Sequence, residues 1–383
     1  MNILIIPSWY HTKNNMTLGS FFKEQAEALA ELGHDVTVLY VDRFGVSYLK
    51  KYISYCERTE YTDNNVKVYR KKKLRKLKSG PIGDCYSFAN GILELYEKYI
   101  KHTKQIDLIH AHSCLWAGYA AMNLKEKYGI PYVITEHFTG YSRNMMNDDE
   151  KALIRVQISK ADKLIAVSEG LKKDLQPYCN KKEIEVIPNM VDVSRFKLGE
   201  VSESNKKFVF LSICYLMYKK GIDILINAFA KAFKGDNNFQ LYIGGDGEEK
   251  EKLIQLTISL GIKEQVKFLG ELDRESVVKE MQNCNAFVLP SRFETFGVVF
   301  IEALACGKPI IASKTGGPDN IVRDINGYLV DVGDIDDLFR TMIKLVNEYK
   351  KFESFTIRKD CIERFSKENV INRIDQMYKK IVL

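Results

Sequence analysis

The sequence predicts an α/β protein made of two doubly wound, Rossmann-like domains, and three observations predict it. At 383 residues the chain is too long for one compact core and suits two domains of roughly 150–200 residues each. Short apolar strand-like runs alternate with amphipathic helical stretches from end to end, which is the pattern of parallel sheets covered on both faces. That alternation also restarts after a connector near the middle of the chain.

The first series opens with the strand NILIIP (residues 2–7), a loop to Gly19, a helix closing at Gly33 and the strand DVTVLYV (35–41). Four more apolar runs follow: IDLIHAH (106–112), IPYVITEH (130–137), KLIAVS (163–168) and EVIPN (185–189). The segment PNMVDVSRFK (188–197) reads as the connector. Beyond it come FVFLSIC (208–214), FQLYIGG (239–245), VKFLG (266–270), AFVLP (286–290), KPIIAS (308–313) and GYLV (327–330). The expected domains are therefore 1–190 and 191–383, with the last amphipathic helix, about 363–380, able to pack back on the first.

Composition is that of a globular protein, 45% hydrophobic and 28% charged, so long disorder is not expected. The most apolar run, FVFLSICYLMY, has eleven residues, against about 20 for a membrane-spanning helix. Met1 leads straight into a strand without a signal-peptide pattern, and the eight scattered cysteines form no metal-spaced pair. These features predict a cytoplasmic protein with buried thiols.

Of the net charge of +7, residues 1–190 carry +6. Much of it lies in one run of seven basic residues in nine: Arg70, Lys71, Lys72, Lys73, Arg75, Lys76 and Lys78. Two readings stay open, a solvated surface loop or peripheral contact with an anionic membrane face or a pyrophosphate-bearing acceptor. Nucleic acid is disfavoured, because no aromatic residues interleave the run and no nucleic-acid motif follows it.

The strongest chemical signal is FVLPSRFETFGVVFIEALACGKPIIASKTGGPDNIV (287–322). It reads as a buried strand, a polar loop, a helix starting near Gly297, a glycine stop at Gly307, a second strand and a glycine-rich turn. A helix start offers free N–H groups and a positive dipole end to an anion. Glu294 and Glu302 flank that start. Such a pair suits a ligand bearing both hydroxyls and phosphates, with Glu294 on sugar hydroxyls and Glu302 on a ribose; two ordinary surface glutamates are the alternative. IHAH places His110 and His112 on one strand face, and ITEHFTGY puts Glu136 and His137 at a strand's carboxyl end, where ligands collect in open α/β sheets. IGGDGEEK lacks the third glycine of a dinucleotide fingerprint, and no P-loop or G-x-S-x-G elbow occurs. Asp334 and Asp336 read as helix caps, and no metal site or cofactor is expected.

The strings P-S-R-F-E-T-F-G, E-A-L-A-C-G-K-P and G-G-P-D-N together resemble the E-x7-E signature of family 4 of the retaining glycosyltransferases. Those enzymes have the GT-B fold, two Rossmann-like domains whose sheets face a deep cleft. The resemblance implies an acceptor-binding first domain and a nucleotide-sugar-binding second domain. It implies that Glu294 and the backbone of Phe296, Gly297 and Val298 hold the donor sugar, that Glu302 holds the ribose and that Lys220 binds the donor phosphates. The arginine usual five residues before that lysine is Tyr215 here, so phosphate binding would lean on Lys220 and helix dipoles, or borrow Lys219 or Arg292. Gly19 and Ser20 match the amides facing the donor diphosphate, and His137 matches the histidine beside the reacting sugar, while His112 and Glu136 fall on the acceptor side. The expected activity is metal-independent hexosyl transfer from a nucleotide diphosphate sugar to a saccharide or lipid-linked acceptor in surface polysaccharide or glycolipid synthesis. A non-catalytic paralogue that binds a nucleotide sugar or a partner enzyme is the alternative.

Overall fold

The computed structural model describes residues 1–11, 19–44, 59–74, 80–199 and 207–383. They form two compact units: Met1–Val167, Leu171–Pro188 and Val370–Leu383 in the first, and Ser168–Gly170 and Asn189–Asn369 in the second.

The first unit is built on β1 (Asn2–Pro7), α1 (Ser20–Glu31), β2 (Asp35–Phe44), β3 (Glu60–Asp63), β4 (Val66–Leu74), α2 (Gly80–Tyr99), β5 (Leu108–His112), α3 (Tyr119–Tyr128), β6 (Tyr132–Glu136), α4 (Asp148–Lys160), β7 (Lys163–Ala166), α5 (Glu169–Leu175) and β8 (Ile184–Val186). Its sheet runs β3-β4-β2-β1-β5-β6-β7-β8. Every neighbouring pair is parallel except β3 with β4. The central strands read as unbroken apolar runs because both faces are covered: Ile3, Leu4, Ile5, Ile6, Leu108 and Ile109 are fully buried.

The first half of the basic run departs from the surface-loop reading. Residues Arg70–Leu74 continue β4, paired with Tyr40–Phe44 of β2. Arg70 is buried at 3% exposure; its Nε and Nη2 donate to the two carboxylate oxygens of Asp42 at 3.1 and 2.9 Å, and its Nη1 donates to the His11 carbonyl at 3.0 Å. Lys71 and Lys73 both pair with Glu94 of α2. The first half of the run is thus sheet, and Arg70 is unavailable to a membrane. Arg75, Lys76 and Lys78 lie outside the described residues.

The second unit contains β9 (Phe208–Ile213), α6 (Ile222–Phe233), β10 (Phe239–Gly244), α7 (Lys250–Ser259), β11 (Val266–Gly270), α8 (Arg274–Asn283), β12 (Ala286–Leu289), α9 (Val298–Ala305), β13 (Ile310–Ser313), β14 (Gly327–Val330), α10 (Ile335–Asn347) and α11 (Ser354–Phe365). Its sheet, β11-β10-β9-β12-β13-β14, is parallel throughout. Phe210, Leu211, Phe287, Val288, Ile310 and Ile311 form its buried layer. Asp334 caps α10, accepting hydrogen bonds from the Asp336 and Asp337 amides at 2.8 and 2.9 Å. The glycines of IGGDGEEK serve a chain crossing: a Cβ at Gly245 would lie 1.8 Å from the Cys214 carbonyl oxygen, and one at Gly247 would lie 2.3 Å from that of Leu216.

The last helix, α12 (Lys367–Val382), carries the chain from the second unit into the first. Its buried face includes Ile374, Met377 and Tyr378. No helix among the described residues is long and apolar enough to cross a membrane.

Candidate active site

In the second unit, the site starts from a close approach of two loops. Gly221 has φ 67°, and a Cβ there would stand 2.1 Å from the Pro290 carbonyl oxygen. Only a glycine in the left-handed region lets the start of α6 pass so near the loop after β12. The loops are tied by the Arg292 amide donating to the Lys219 carbonyl at 2.8 Å. The result is that Lys220 Nζ lies 2.6 Å from Glu294 Oε2, while Glu294 Oε1 accepts from the Thr295 amide at 3.2 Å.

The electrostatics reinforce the pair. Burial alone would push the Glu294 carboxyl up, but the Lys220 ammonium, helped by Lys219 and the Thr295 amide, outweighs it and holds the group below the usual carboxylate range. Burial likewise opposes the charge on Lys220, yet Glu294 and neighbouring Cys214 raise its pKa above the ordinary lysine value. Both groups are therefore ionised at neutral pH.

Gly297, φ 86°, stands at the N-cap of α9 with no side-chain cap, so the first-turn amides of Val298 and Val299 are free of an intrahelical acceptor. A Cβ at Gly297 would meet Glu294 Cγ at 3.3 Å, which sets Glu294 beside the positive end of the helix. Phe296 is buried against Phe365, leaving only its backbone for a ligand. Behind the loop, a Cβ at Gly317 of the G-G-P-D-N turn would fall 2.4 Å from the Glu294 carbonyl oxygen.

The other second-unit residues fall less simply. Glu302 sits on α9 at 2% exposure, and its Oε1 is paired with Nη1 of Arg274, the first residue of α8. Arg274 is a site residue that sequence reasoning missed, since nothing local links positions 274 and 302. Tyr215 is 61% exposed. Arg292 is committed elsewhere: it grips both oxygens of Asp223 at 2.8 and 2.7 Å and stacks 4.0 Å over the Tyr218 ring. Lending it to a pyrophosphate would mean giving up these contacts.

In the first unit, the carboxyl ends of β5 and β6 gather the histidines. His110 and His112 share one strand face, as their spacing predicts, with ring centroids 4.3 Å apart. His112 Nδ1 lies 3.2 Å from His137 Nε2, and His112 Nε2 is buried with no hydrogen-bond partner. Burial holds the imidazoles of His110 and His137 down at about 3 and that of His112 well below its ordinary value, so all three are neutral. Gly19, φ 68°, stands at the N-cap of α1 without a side-chain cap, and Ser20 is the helix's first residue. Two residues on, Phe22 of the same helix packs on His112 and His137 at 4.6 and 5.0 Å. The uncapped amino end of α1 and the histidines thus belong to one cluster.

Glu136 plays a different part from the acceptor contact expected of it. It is 1% exposed, and its carboxylate accepts from the amides of Cys114, His137 and Phe138 and from the Tyr141 hydroxyl at 2.8–2.9 Å. It holds together the loops after β5 and β6. The β5 loop needs holding, because Ser113 and Trp116 both have φ 74°, a region that side chains occupy at a cost and that clusters at functional sites.

Two family models match the chain, "Glycosyltransferase Family 4" over residues 18–195 and "Glycosyl transferases group 1" over residues 194–363. Among similar sequences, an uncharacterized glycosyltransferase of Methanocaldococcus jannaschii is 27% identical over 93% of this chain and 92% of its own. The N-acetyl-alpha-D-glucosaminyl L-malate synthase of Bacillus anthracis is 26% identical over 73% of this chain and 76% of its own. Among solved structures, sucrose-phosphate synthase from Thermosynechococcus elongatus superposes with a TM-score of 0.81 at 18% identity, covering 100% of this chain and 99% of that one. HepE of Anabaena, in complex with UDP, gives 0.76 at 20% identity over 99% of this chain and 100% of that one; these likenesses bear on the fold. With both halves matched in order and two parallel-sheet units in place, the chain belongs to the family 4 glycosyltransferases and has their GT-B fold.

Proposed function

We propose that this enzyme is a retaining hexosyltransferase that takes its sugar from a nucleotide diphosphate donor and passes it to a saccharide or lipid-linked acceptor in surface polysaccharide or glycolipid assembly. The observation that carries the proposal is the half-buried Lys220–Glu294 pair, 2.6 Å apart beside the uncapped amino end of α9. Cleaving a glycosyl diphosphate builds negative charge on the leaving phosphate and oxocarbenium character on the sugar. Lys220, charged well past neutrality, and the free amides of α9 stabilise the first. Glu294, fully ionised, accepts hydrogen bonds from the sugar hydroxyls and orients the second.

This arrangement supplies positive potential from the protein itself, so transfer is proposed to proceed without a divalent ion. Glu302 takes the ribose hydroxyls while Arg274 steadies its carboxylate. Gly19 and Ser20 lend the amino end of α1 to the diphosphate, and neutral His137 orients groups at the reacting sugar during same-face attack, with His112 shaping the acceptor side. Uridine is the first base to try, since HepE was solved with UDP. Peripheral contact with an anionic membrane on the cytoplasmic face would rest on Lys71, Lys72 and Lys73 and the basic residues after them, without Arg70.

The test is a thermal-shift screen against UDP-, GDP- and ADP-sugars, followed by transfer of labelled sugar with EDTA present. A donor that binds the folded state raises the melting temperature, and NMR of the product reads the anomeric configuration. An inverted product, or turnover abolished by EDTA, would overturn the corresponding part of the proposal.

A further inference from the structure

The final helix reaches the histidine cluster through one hydrogen bond. Tyr378 Oη of α12 lies 2.5 Å from His110 Nδ1, and His110 Nε2 lies 2.7 Å from Thr135 Oγ1 of β6. All three residues are buried, Tyr378 and His110 at 0% exposure and Thr135 at 5%. The Tyr378 ring also meets the His110 ring edge-on at 5.7 Å. From His110 the order passes to His112 through the 4.3 Å ring stack, tilted by 26°, and from His112 to His137 through the 3.2 Å nitrogen contact.

The proton positions follow from counting donors. A neutral imidazole has one N–H and one lone pair, so it must accept from one hydroxyl and donate to the other. If His110 donated to Tyr378, the phenol hydrogen would be fully buried with nothing to receive it. With Tyr378 as donor, only the threonine hydrogen is left over, and Thr135 keeps some exposure. The favoured arrangement is therefore Tyr378 Oη–H to His110 Nδ1 and His110 Nε2–H to Thr135 Oγ1.

We infer that Tyr378, His110 and Thr135 are positioning residues for glycosyl transfer: they fix the tautomer and ring plane of His110, whose face in turn fixes His112 against His137. An apolar residue at position 110 would fill the sheet as well, as its neighbours Ile109 and Ala111 do; a histidine bonded at both nitrogens adds a defined ring orientation. The inference rests on the proposed placement of His137 at the reacting sugar.

The experiment compares Tyr378→Phe, Thr135→Val and His137→Ala with the full-length enzyme, measuring kcat and donor KM and recording nitrogen–proton NMR of labelled histidines. Met377→Ala, which removes apolar packing from the same helix but no hydrogen bond, is the control for loosening of α12. Tyr378→Phe should shift the His110 nitrogen signals and those of His112 or His137, and lower kcat about tenfold with donor KM unchanged, the scale expected of a small misalignment at a reacting centre. Thr135→Val should do the same, and Met377→Ala should lower the melting temperature while leaving kcat within about twofold. Wild-type kcat in Tyr378→Phe beside an inactive His137→Ala would overturn the positioning chain alone. Wild-type kcat in His137→Ala would overturn the placement of His137 on which it rests.

Discussion

Lys220 and Glu294, 74 positions apart in sequence, are joined by a 2.6 Å ion pair at the one point where Gly221 lets α6 start against the β12 loop. Their charges are interdependent. Each opposes the cost of burying the other, so neither can be altered in isolation.

Lys220→Ala and Glu294→Ala should each lower kcat/KM at least about tenfold, on the scale of losing one charge-stabilising donor. The double variant should lose less than the product of the two, because groups acting as a unit are non-additive. Steady-state kinetics on the four proteins measures this, and strict additivity would show that the two side chains act separately.

The same pair sets a pH window for stability. Glu294 titrates lower in the folded chain than unfolded, so its contribution is present above the unfolded value near 4.3 and is lost as pH falls through the folded one. Lys220 titrates higher, so its share is present below the unfolded value near 10.4 and is lost as pH rises past the folded one. Chemical denaturation from pH 3 to 7 should show a shallower acid decline for Glu294→Gln than for the parent.

Arg70→Met should destabilise by about 3–5 kcal/mol, because it removes the guanidinium that grips both oxygens of the buried Asp42 carboxylate. Adding Asp42→Leu should recover much of that loss. Lys71→Ala, which removes an exposed pair with Glu94, should change stability by less than about 1 kcal/mol. Urea titrations of the four proteins check the ranking.

Glu136→Gln should weaken the loops after β5 and β6 and cost about 1–3 kcal/mol, since an amide brings an N–H where every neighbour donates. The Ser113–Trp116 segment should gain hydrogen exchange first. An unchanged exchange rate there would show that the loop holds itself.

The strands around both sites were legible in the sequence because parallel strands buried on two faces leave contiguous apolar strings. β4 was not. Its inward position 70 carries an arginine, and the Asp42 carboxylate on the neighbouring strand and the His11 carbonyl make that tolerable, pairings that periodicity cannot display. The glutamates and lysine of the second-unit site stood out through their motif, and the motif was silent on Arg274. Tyr378 is hidden for the same reason: it meets His110 across 268 positions, and a tyrosine on an amphipathic helix looks like any other core residue. The expectation placed Glu136 on the acceptor side, whereas three backbone amides and the Tyr141 hydroxyl donate to it.

The chain's return through α12 makes the second unit an insert within the first. Its entry and exit run side by side: the Val191 amide donates to the Phe365 carbonyl at 2.9 Å, and the Lys367 amide donates to the Val191 carbonyl at 3.2 Å. A module whose two ends are so stitched can be excised or exchanged as a cassette at residues 189–369, with the stitch kept intact. The corresponding cassette from a relative, grafted at those seams, would leave the strands of the host sheet continuous.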